Sequence, residues 1–206
     1  MFSRVAIVNG GEAAVRLIHA IRELDTHGRV TVIALHGAHD RGALFARLAD
    51  TTRELTSTAA DPYRDVEAVE AALRDCAADA VWAGWGGAAT DPAVAELCER
   101  LGITCVGPDA KTLRQLADGV TVRLLAERLD VPTADGPAGP EDRRLAVQVV
   151  ADGGTAWALG VRDGTPRLGG REVLTESVGL DGLPGSVLDR GTADRLADTA
   201  TRLVAA

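Results

Sequence analysis

The stretch that most constrains this chain is Val5–Leu24, VAIVNGGEAAVRLIHAIREL. Val5, Ala6, Ile7 and Val8 form a short apolar run with β-branched residues, which predicts a strand buried on both faces. Asn9, Gly10 and Gly11 break the run, and glycine tolerates the backbone angles of a tight turn. Ala14, Leu17, Ile18, Ile21 and Leu24 then recur at helical spacing and predict one apolar helix face. Strand, glycine turn and helix in this order are the opening unit of a doubly wound α/β domain. Such domains bind ligands in the crevice at the carboxyl ends of their strands, facing the helix N-terminus.

The chain has 206 residues, enough for one large domain or one domain with a smaller partner. Hydrophobic residues make up 46% but aromatics only 3%, so the core must be built from Ala, Val and Leu. A formal net charge of −8 argues against a nucleic-acid partner or an anionic membrane surface. No apolar run is long enough to span a bilayer. The opening MFSRVAIVNGG does not read as a signal peptide, so a cytoplasmic location is expected. Cys76, Cys98 and Cys105 match no zinc or CxxC spacing and read as reduced, buried thiols. Lys111 is the only lysine, so a mechanism that sets several lysines on phosphate is not available.

Taken in order, Arg29–His36 predicts a second strand, Leu44–Ala49 a short helix, and Thr51–Pro62 a loop holding one short strand. Asp65–Cys76 reads as a helix, Ala80–Gly84 as a third buried strand ended by Trp85-Gly86-Gly87. Asp91-Pro92 opens the next helix as N-cap and first helical residue, and Gly102 stops it. Ile103–Val106 is a fourth strand; helices follow at Ala110–Ala117 and Thr121–Leu129. Val131–Asp142 holds three of the eight prolines and reads as a linker. Leu145–Ala151 and Thr155–Arg162, joined by Asp152-Gly153-Gly154, predict a hairpin. A further strand is expected near Glu172–Ser177, a loop at Gly179–Gly185, and a helix over Thr192–Val204 with Leu196, Thr199, Leu203 and Val204 inward.

Several of these segments, in this order, resemble biotin carboxylase. Val5–Ala14 is similar to that family's opening IANRGEIA pattern, and Trp82–Ala88 to a variant of its HPGYGFLSE stretch. Gly107-Pro108 matches its IGP segment and Ala126–Pro132 its AxxAGVP. Arg143–Asp152 resembles the RHxExQxxxD strand, and Arg162–Ser177 the RDCSxQRRHQKxxEEx stretch. The resemblance implies a Rossmann-like doubly wound parallel sheet of the pre-ATP-grasp type over residues 1–135. Residues 136–206 would form a small α+β remnant of an ATP-grasp domain, with antiparallel strands and a C-terminal helix.

The family's catalytic apparatus does not carry over. Its phosphate-holding lysine follows a Gly-Asp pair; here Ala117-Asp118 is followed by Gly119. The glycine-rich lid expected after Pro132 is missing, because Pro140 leads almost directly into the RHxExQ-like strand. That strand's histidine and glutamate are Arg144 and Ala146; the lysine of QRRHQK is Glu172, leaving Arg167 and Arg171 as nearby cations. Thr90 takes the place of a glutamate after the GYGFLS-like run, and the chain ends at Ala206, before the family's metal-binding glutamates. Holding Mg²⁺ and ATP takes oxygen ligands and cationic clamps placed together, so ATP-dependent carboxylation of biotin is expected to be absent. No cofactor and no metal are expected.

Two readings remain. In one, the old crevice serves a small molecule, as happens in specialised metabolism. Asn9, Gly10, Gly11, Trp85, Gly86 and Gly87 would form the binding site, and Glu12 and His36 would handle protons. Gly10 stands where the family has an arginine, which would open the crevice. His36 and His39 otherwise read as solvated loop histidines, and Asp118 as a helix cap. In the other reading the protein is a pseudoenzyme kept for protein contacts. A homodimer is expected in either case.

Overall fold

In the computed structural model of the chain, the apolar run after Phe2 becomes strand β1 (Arg4–Ile7), the middle strand of a five-stranded parallel sheet. The structure describes residues 2–134, 139, 142–164, 167–168, 171–172, 176–178 and 189–206, with the backbone alone at 167–168, 171–172 and 176–178. The chain forms two compact units, Met1–Asp118 and Gly119–Ala206. Part of the expected linker, including the residues around the expected boundary at 135, lies outside the described residues, as does the expected loop at 179–185.

In the first unit β1 is followed by α1 (Gly11–Leu24), β2 (Thr31–His36), α2 (Leu44–Leu48) and β3 (Thr51–Glu54). Then come α3 (Val66–Cys76), β4 (Ala80–Trp82), α4 (Gly87–Thr90), α5 (Pro92–Leu101), β5 (Thr104–Cys105) and α6 (Ala110–Ala117). The strand order is β3-β2-β1-β4-β5, all parallel, with Ala6 beside Ile33 on one side and Val81 on the other. The chain winds outward from β1 to β3, then returns to β4 on the opposite flank. The topological switch point therefore lies between β1 and β4.

The two-residue period of the strands divides the core. Ala6, Val8, Ile33, Leu35 and Val81 face α3 and α5, against Val69, Leu73, Val94 and Leu97. Ile7, Val32 and Ala34 face the other way, against Ala14 and Ile18 of α1 and Phe45 of α2. Both faces of the sheet are covered, which is why its strands are continuously apolar. Leu24, expected on the inner face of α1, is 86% exposed, because the last turn of the helix runs past the sheet.

Helix ends follow local chemistry. The Asp91 carboxylate accepts from Ala93 N at 3.0 Å, with Pro92 in the first turn, and Gly102 ends α5 in the left-handed region. Asp79 ties the amino ends of β1 and β4 together, accepting from Ser3 N and Arg4 N at 2.8 Å each and from Ser3 Oγ at 2.9 Å.

The second unit begins with α7 (Gly119–Arg128), two residues earlier than expected. The predicted hairpin is present as antiparallel β6 (Leu145–Ala151) and β7 (Ala156–Asp163). Its turn is held by Asp152 Oδ1, which accepts from Gly154 N and Thr155 N at 2.9 and 2.8 Å. The strand expected near Glu172–Ser177 is instead two pieces, β9 (Arg171–Glu172), paired with β8 (Arg167–Leu168), and β10 (Glu176–Val178), paired with β7. Residues 173–175 between them lie outside the described residues. α8 (Arg190–Val204) packs on β6 and β7. Val204, expected inward, is exposed at the last turn of α8.

Candidate functional site

The crevice is built first by Asn9, two residues beyond the end of β1. Its Nδ2 donates to Ala83 O at 2.7 Å and to Trp85 O at 2.8 Å, and its Oδ1 accepts from Gly10 N at 2.8 Å. Val8 N donates to Trp82 O at 2.9 Å just below. Asn9 thus stitches the glycine turn to the loop after β4, across the switch point itself. Both of its amide hydrogens are spent on backbone, so Asn9 positions the crevice and donates nothing to a ligand.

Gly84 and Gly86 shape the facing loop. Gly84 has φ +70°, and a Cβ there would lie 2.6 Å from the Trp82 ring and 2.9 Å from Asn9 Nδ2. Gly86, at φ +100°, turns the chain into α4, where the Thr90 hydroxyl donates to the carbonyls of Gly86 and Gly87 at 3.2 and 3.3 Å. Between these glycines Trp85 projects with 71% of its surface exposed. Gly11 and Glu12, in the first turn of α1, are also exposed, and Gly10 caps that helix without a side chain. The early N–H groups of α1 therefore have no side-chain cap at Gly10.

One segment that the sequence did not single out closes the inner part of the crevice. Residues Pro62–Arg64 form a 3₁₀ turn capped by Asp61, whose carboxylate accepts from Tyr63 N at 3.1 Å. The Tyr63 hydroxyl donates to Leu35 O at 3.1 Å. It lies 2.9 Å from the point a Cβ at residue 10 would occupy, with Phe45 at 3.5 Å. Pro62 packs on Gly37, and Arg64 and Asp61 pack on Gly87, each at 3.2–3.3 Å from the glycine's missing Cβ. The turn thus spans the ends of β2, β1 and the start of α4. The expectation that Gly10 opens the crevice is corrected: the volume freed there is filled by the Tyr63 hydroxyl and the Phe45 ring. Burial pushes the Tyr63 hydroxyl well above its usual range, helped by the Asp40 and Asp61 carboxylates, so it stays a neutral donor. Arg64 reaches Asp91 at 3.4 Å, at the outer rim.

His36 does not join the mouth. It is only 3% exposed, and its Nδ1 donates to Gly37 O at 2.9 Å, since a carbonyl can only accept. The expectation of a solvated loop histidine fails here, because β2 carries its hydrogen-bonded register through residue 36, opposite Glu54 of β3. His39 is exposed on the turn beyond, so the two imidazoles sit in different environments. Among the described residues, no group of three or more His, Cys, Asp or Glu side chains is placed to hold a metal ion. Of the predicted site residues, the structure brings together Asn9 and Trp85 by a hydrogen bond, and Gly10 and Gly87 through the Asp61–Arg64 turn. A shallow depression of about 280 Å³ between Leu73, Ala78 and Ile103 lies beside the starts of β4 and β5, at the opposite end of the sheet.

The family described as biotin carboxylase, N-terminal domain, matches residues 1–113. The chain belongs to this family. It is 32% identical over 180 residues to the biotin carboxylase of Pseudomonas aeruginosa, a match covering 86% of this chain and 39% of that protein. It is 32% identical over 147 residues to the biotin carboxylase of Haemophilus influenzae, covering 71% and 32%. Among solved structures it is similar to the biotin carboxylase domain of a single-chain bacterial carboxylase, with a TM-score of 0.85 at 26% identity over 98% of this chain and 55% of that one. The Kluyveromyces lactis urea carboxylase superposes with a TM-score of 0.85 at 27% identity, over 99% of this chain and 17% of that one. The chain spans well under half the length of the curated relatives it matches. The biotin carboxylase-like first unit explains the order of the sheet.

In the second unit, Gly119 and Ala146 stand where the resemblance puts a phosphate-holding lysine and a glutamate. Gly119 opens α7 with no side chain, and Ala146 presents a methyl group on β6. Arg143 is hydrogen-bonded to the buried carboxylate of Asp163, which occupies that guanidinium within the unit. No helix among the described residues is long and apolar enough to cross a membrane.

Proposed function

We propose that this biotin carboxylase-like chain has lost ATP-dependent carboxylation and binds a small molecule at the mouth of its first-unit crevice. The observation that carries the reading is Trp85, a large indole held out to solvent at the switch point while its own backbone carbonyl is pinned by Asn9. Exposing a tryptophan costs roughly 1.5–3 kcal/mol of unrealised burial, and doubly wound folds place their ligands at this point. Gly11 and Gly86, with nothing within 4 Å of their missing Cβ atoms, allow close backbone approach, Glu12 offers an exposed carboxylate beside the helix start, and Tyr63 and Phe45 form the floor. Gly119, where the resemblance puts a phosphate-holding lysine, supports the loss of nucleotide chemistry, because phosphate oxygens need cationic donors there.

The test is a small-molecule thermal-shift screen followed by titration of each hit. A ligand of the mouth should bind wild type, lose about 1–3 kcal/mol of affinity in Trp85→Ala, and bind His36→Ala within experimental error once folding is confirmed. Hits that titrate identically with wild type and Trp85→Ala refute the site. A steady-state ATPase assay with biotin and bicarbonate should show no turnover above a no-protein control; biotin-stimulated, metal-dependent turnover would end the reading.

A second reading has its own support in the second unit. Val150 and Trp157 are cross-strand partners on β6 and β7, and with Leu159 they leave exposed apolar surface on the sheet. Such a patch favours protein contact, as a non-catalytic pseudoenzyme or a homodimer would use. Trp157→Ser with Leu159→Ser should abolish self-association while leaving any Trp85-dependent ligand bound.

A further inference from the structure

We infer that Cys98 and Cys105 form a peroxide-oxidisable thiol pair that closes to a reversible disulfide between α5 and β5. The backbone brings them together. After Gly102 turns the chain with φ +67°, Ile103 N donates back to Cys98 O at 2.9 Å, so the start of the next strand lies against the last turn of α5. Two residues on, Cys105 is fixed in β5 opposite Val81, and its side chain falls on the same side of the strand as that of Ile103. Cys98, Ile103 and Cys105 all pack in one apolar cluster on the α3–α5 side of the sheet.

The two thiols sit in different surroundings, as a reacting pair requires. Cys98 is buried, whereas Cys105 is partly exposed on the last strand of the sheet, where a small oxidant can reach it. Contact with Cys98 pulls the Cys105 thiol down, against the opposing effects of burial and of the Glu99 carboxylate. The same contact, with burial, pushes Cys98 up, so the partly exposed Cys105 is the thiol of the pair that ionises more readily. Cys76 lies in the same cluster but differs. It is fully buried, its Sγ donates to Leu73 O at 3.5 Å, and burial raises its thiol.

The reaction balances with a hydroperoxide as the oxidant. The Cys105 thiolate attacks one peroxide oxygen and the O–O bond breaks. The departing hydroxide takes up a proton as water, and Cys105 is left as sulfenic acid. Cys98 sulfur then attacks Cys105 sulfur, forming the S–S bond and expelling the sulfenic oxygen as a second water, which carries the Cys98 proton. Two thiols lose two electrons and the peroxide gains them. The bridge closes a short loop between α5 and the edge strand.

The test treats the native full chain with stoichiometric hydrogen peroxide, then denatures, alkylates and maps it. A Cys98–Cys105 linked peptide should form, lighter by two hydrogens, and dithiothreitol should reverse it, while Cys76 remains alkylatable. A Cys76→Ser chain should form the same bridge. In Cys98→Ala, folded by circular dichroism, Cys105 should stop at a sulfenic acid that dimedone traps. The proposal is overturned if Cys98 stays alkylatable after Cys105 is consumed, if Cys76 carries the bridge, or if Cys105 remains unmodified while free glutathione in the same tube is oxidised.

Discussion

Replacing Gly84 with alanine tests whether the crevice wall is as tightly determined as its geometry implies. Two costs add at this residue. The left-handed backbone at φ +70° costs an alanine about 1–2 kcal/mol. The new methyl would stand 2.6 and 2.7 Å from two carbons of the Trp82 ring and 2.9 Å from Asn9 Nδ2. None of these groups is free to retreat: Trp82 packs against the α1–α2 side of the sheet, and Asn9 is held by three hydrogen bonds. Overpacking of this kind costs about 1–3 kcal/mol more. Gly11 is the control, because it has φ +61° and nothing within 4 Å of its missing Cβ, so Gly11→Ala carries only the first cost. Guanidinium unfolding followed by tryptophan fluorescence in a Trp157→Phe background reports the first unit, whose tryptophans are Trp82 and Trp85. Gly84→Ala should lower stability by about 2–5 kcal/mol and Gly11→Ala by about 1–2 kcal/mol. Equal losses in the two variants would refute the packed wall of Trp82 and Asn9 around Gly84.

Tyr63→Phe removes the donation to Leu35 O and should cost about 1 kcal/mol in the same unfolding assay, while Tyr63→Ala, by emptying the crevice floor, should cost about 3–5 kcal/mol. Burial raises the Asp79 carboxyl, but donations from Ser3 N, Arg4 N and the Ser3 hydroxyl outweigh it, so its folded value lies below 3.8. Its stabilisation is therefore fully present only well above the unfolded value of 3.8 and is lost as pH falls through the depressed folded value; Asp79→Asn should cost about 1–2 kcal/mol at neutral pH, and the gap in urea midpoints should close as pH falls through that value. Light scattering at high micromolar concentration should give the mass of a dimer, and a monomer there removes the homodimer from consideration.

Much of the fold was legible because buried parallel strands write themselves as apolar runs. Val5–Val8, the core of Arg29–His36 and Ala80–Trp82 needed no partner to be recognised, and Asp91-Pro92 and Gly102 marked both ends of α5 by their own chemistry. Among the strands and helices of the first unit, the errors sit at ends. The second strand begins at Thr31 because the Asp25 carboxylate takes Val30 N at 2.6 Å into the preceding turn. Leu24 and Val204 satisfy helical periodicity yet lie where the helix has outrun the surface it covers. Periodicity specifies a face; it does not specify how far the opposing layer extends.

The candidate site was legible only on the side its own chain segments built. Asn9, the glycines and Trp85 follow strand ends directly, so the switch point could be located before any packing was known. Tyr63 could not be found that way. It stands more than fifty residues from Gly10 in sequence, on a single 3₁₀ turn with no apolar period, and it acts through one ring and one hydroxyl. The available signal was chemical: it is the chain's only tyrosine, and Asp61-Pro62 before it is a turn-initiating pair. The glycine at position 10 and the tyrosine at position 63 then explain each other. A side chain at residue 10 would collide with the hydroxyl, and without that hydroxyl the glycine would leave a hole above Phe45. A paired Gly10→Arg, Tyr63→Ala chain should accordingly be more stable than the sum of its single variants predicts, by about 0.5–3 kcal/mol in a double-mutant cycle. Strict additivity would mean that the two positions do not share one space, and the open crevice implied by glycine alone would then be the better description.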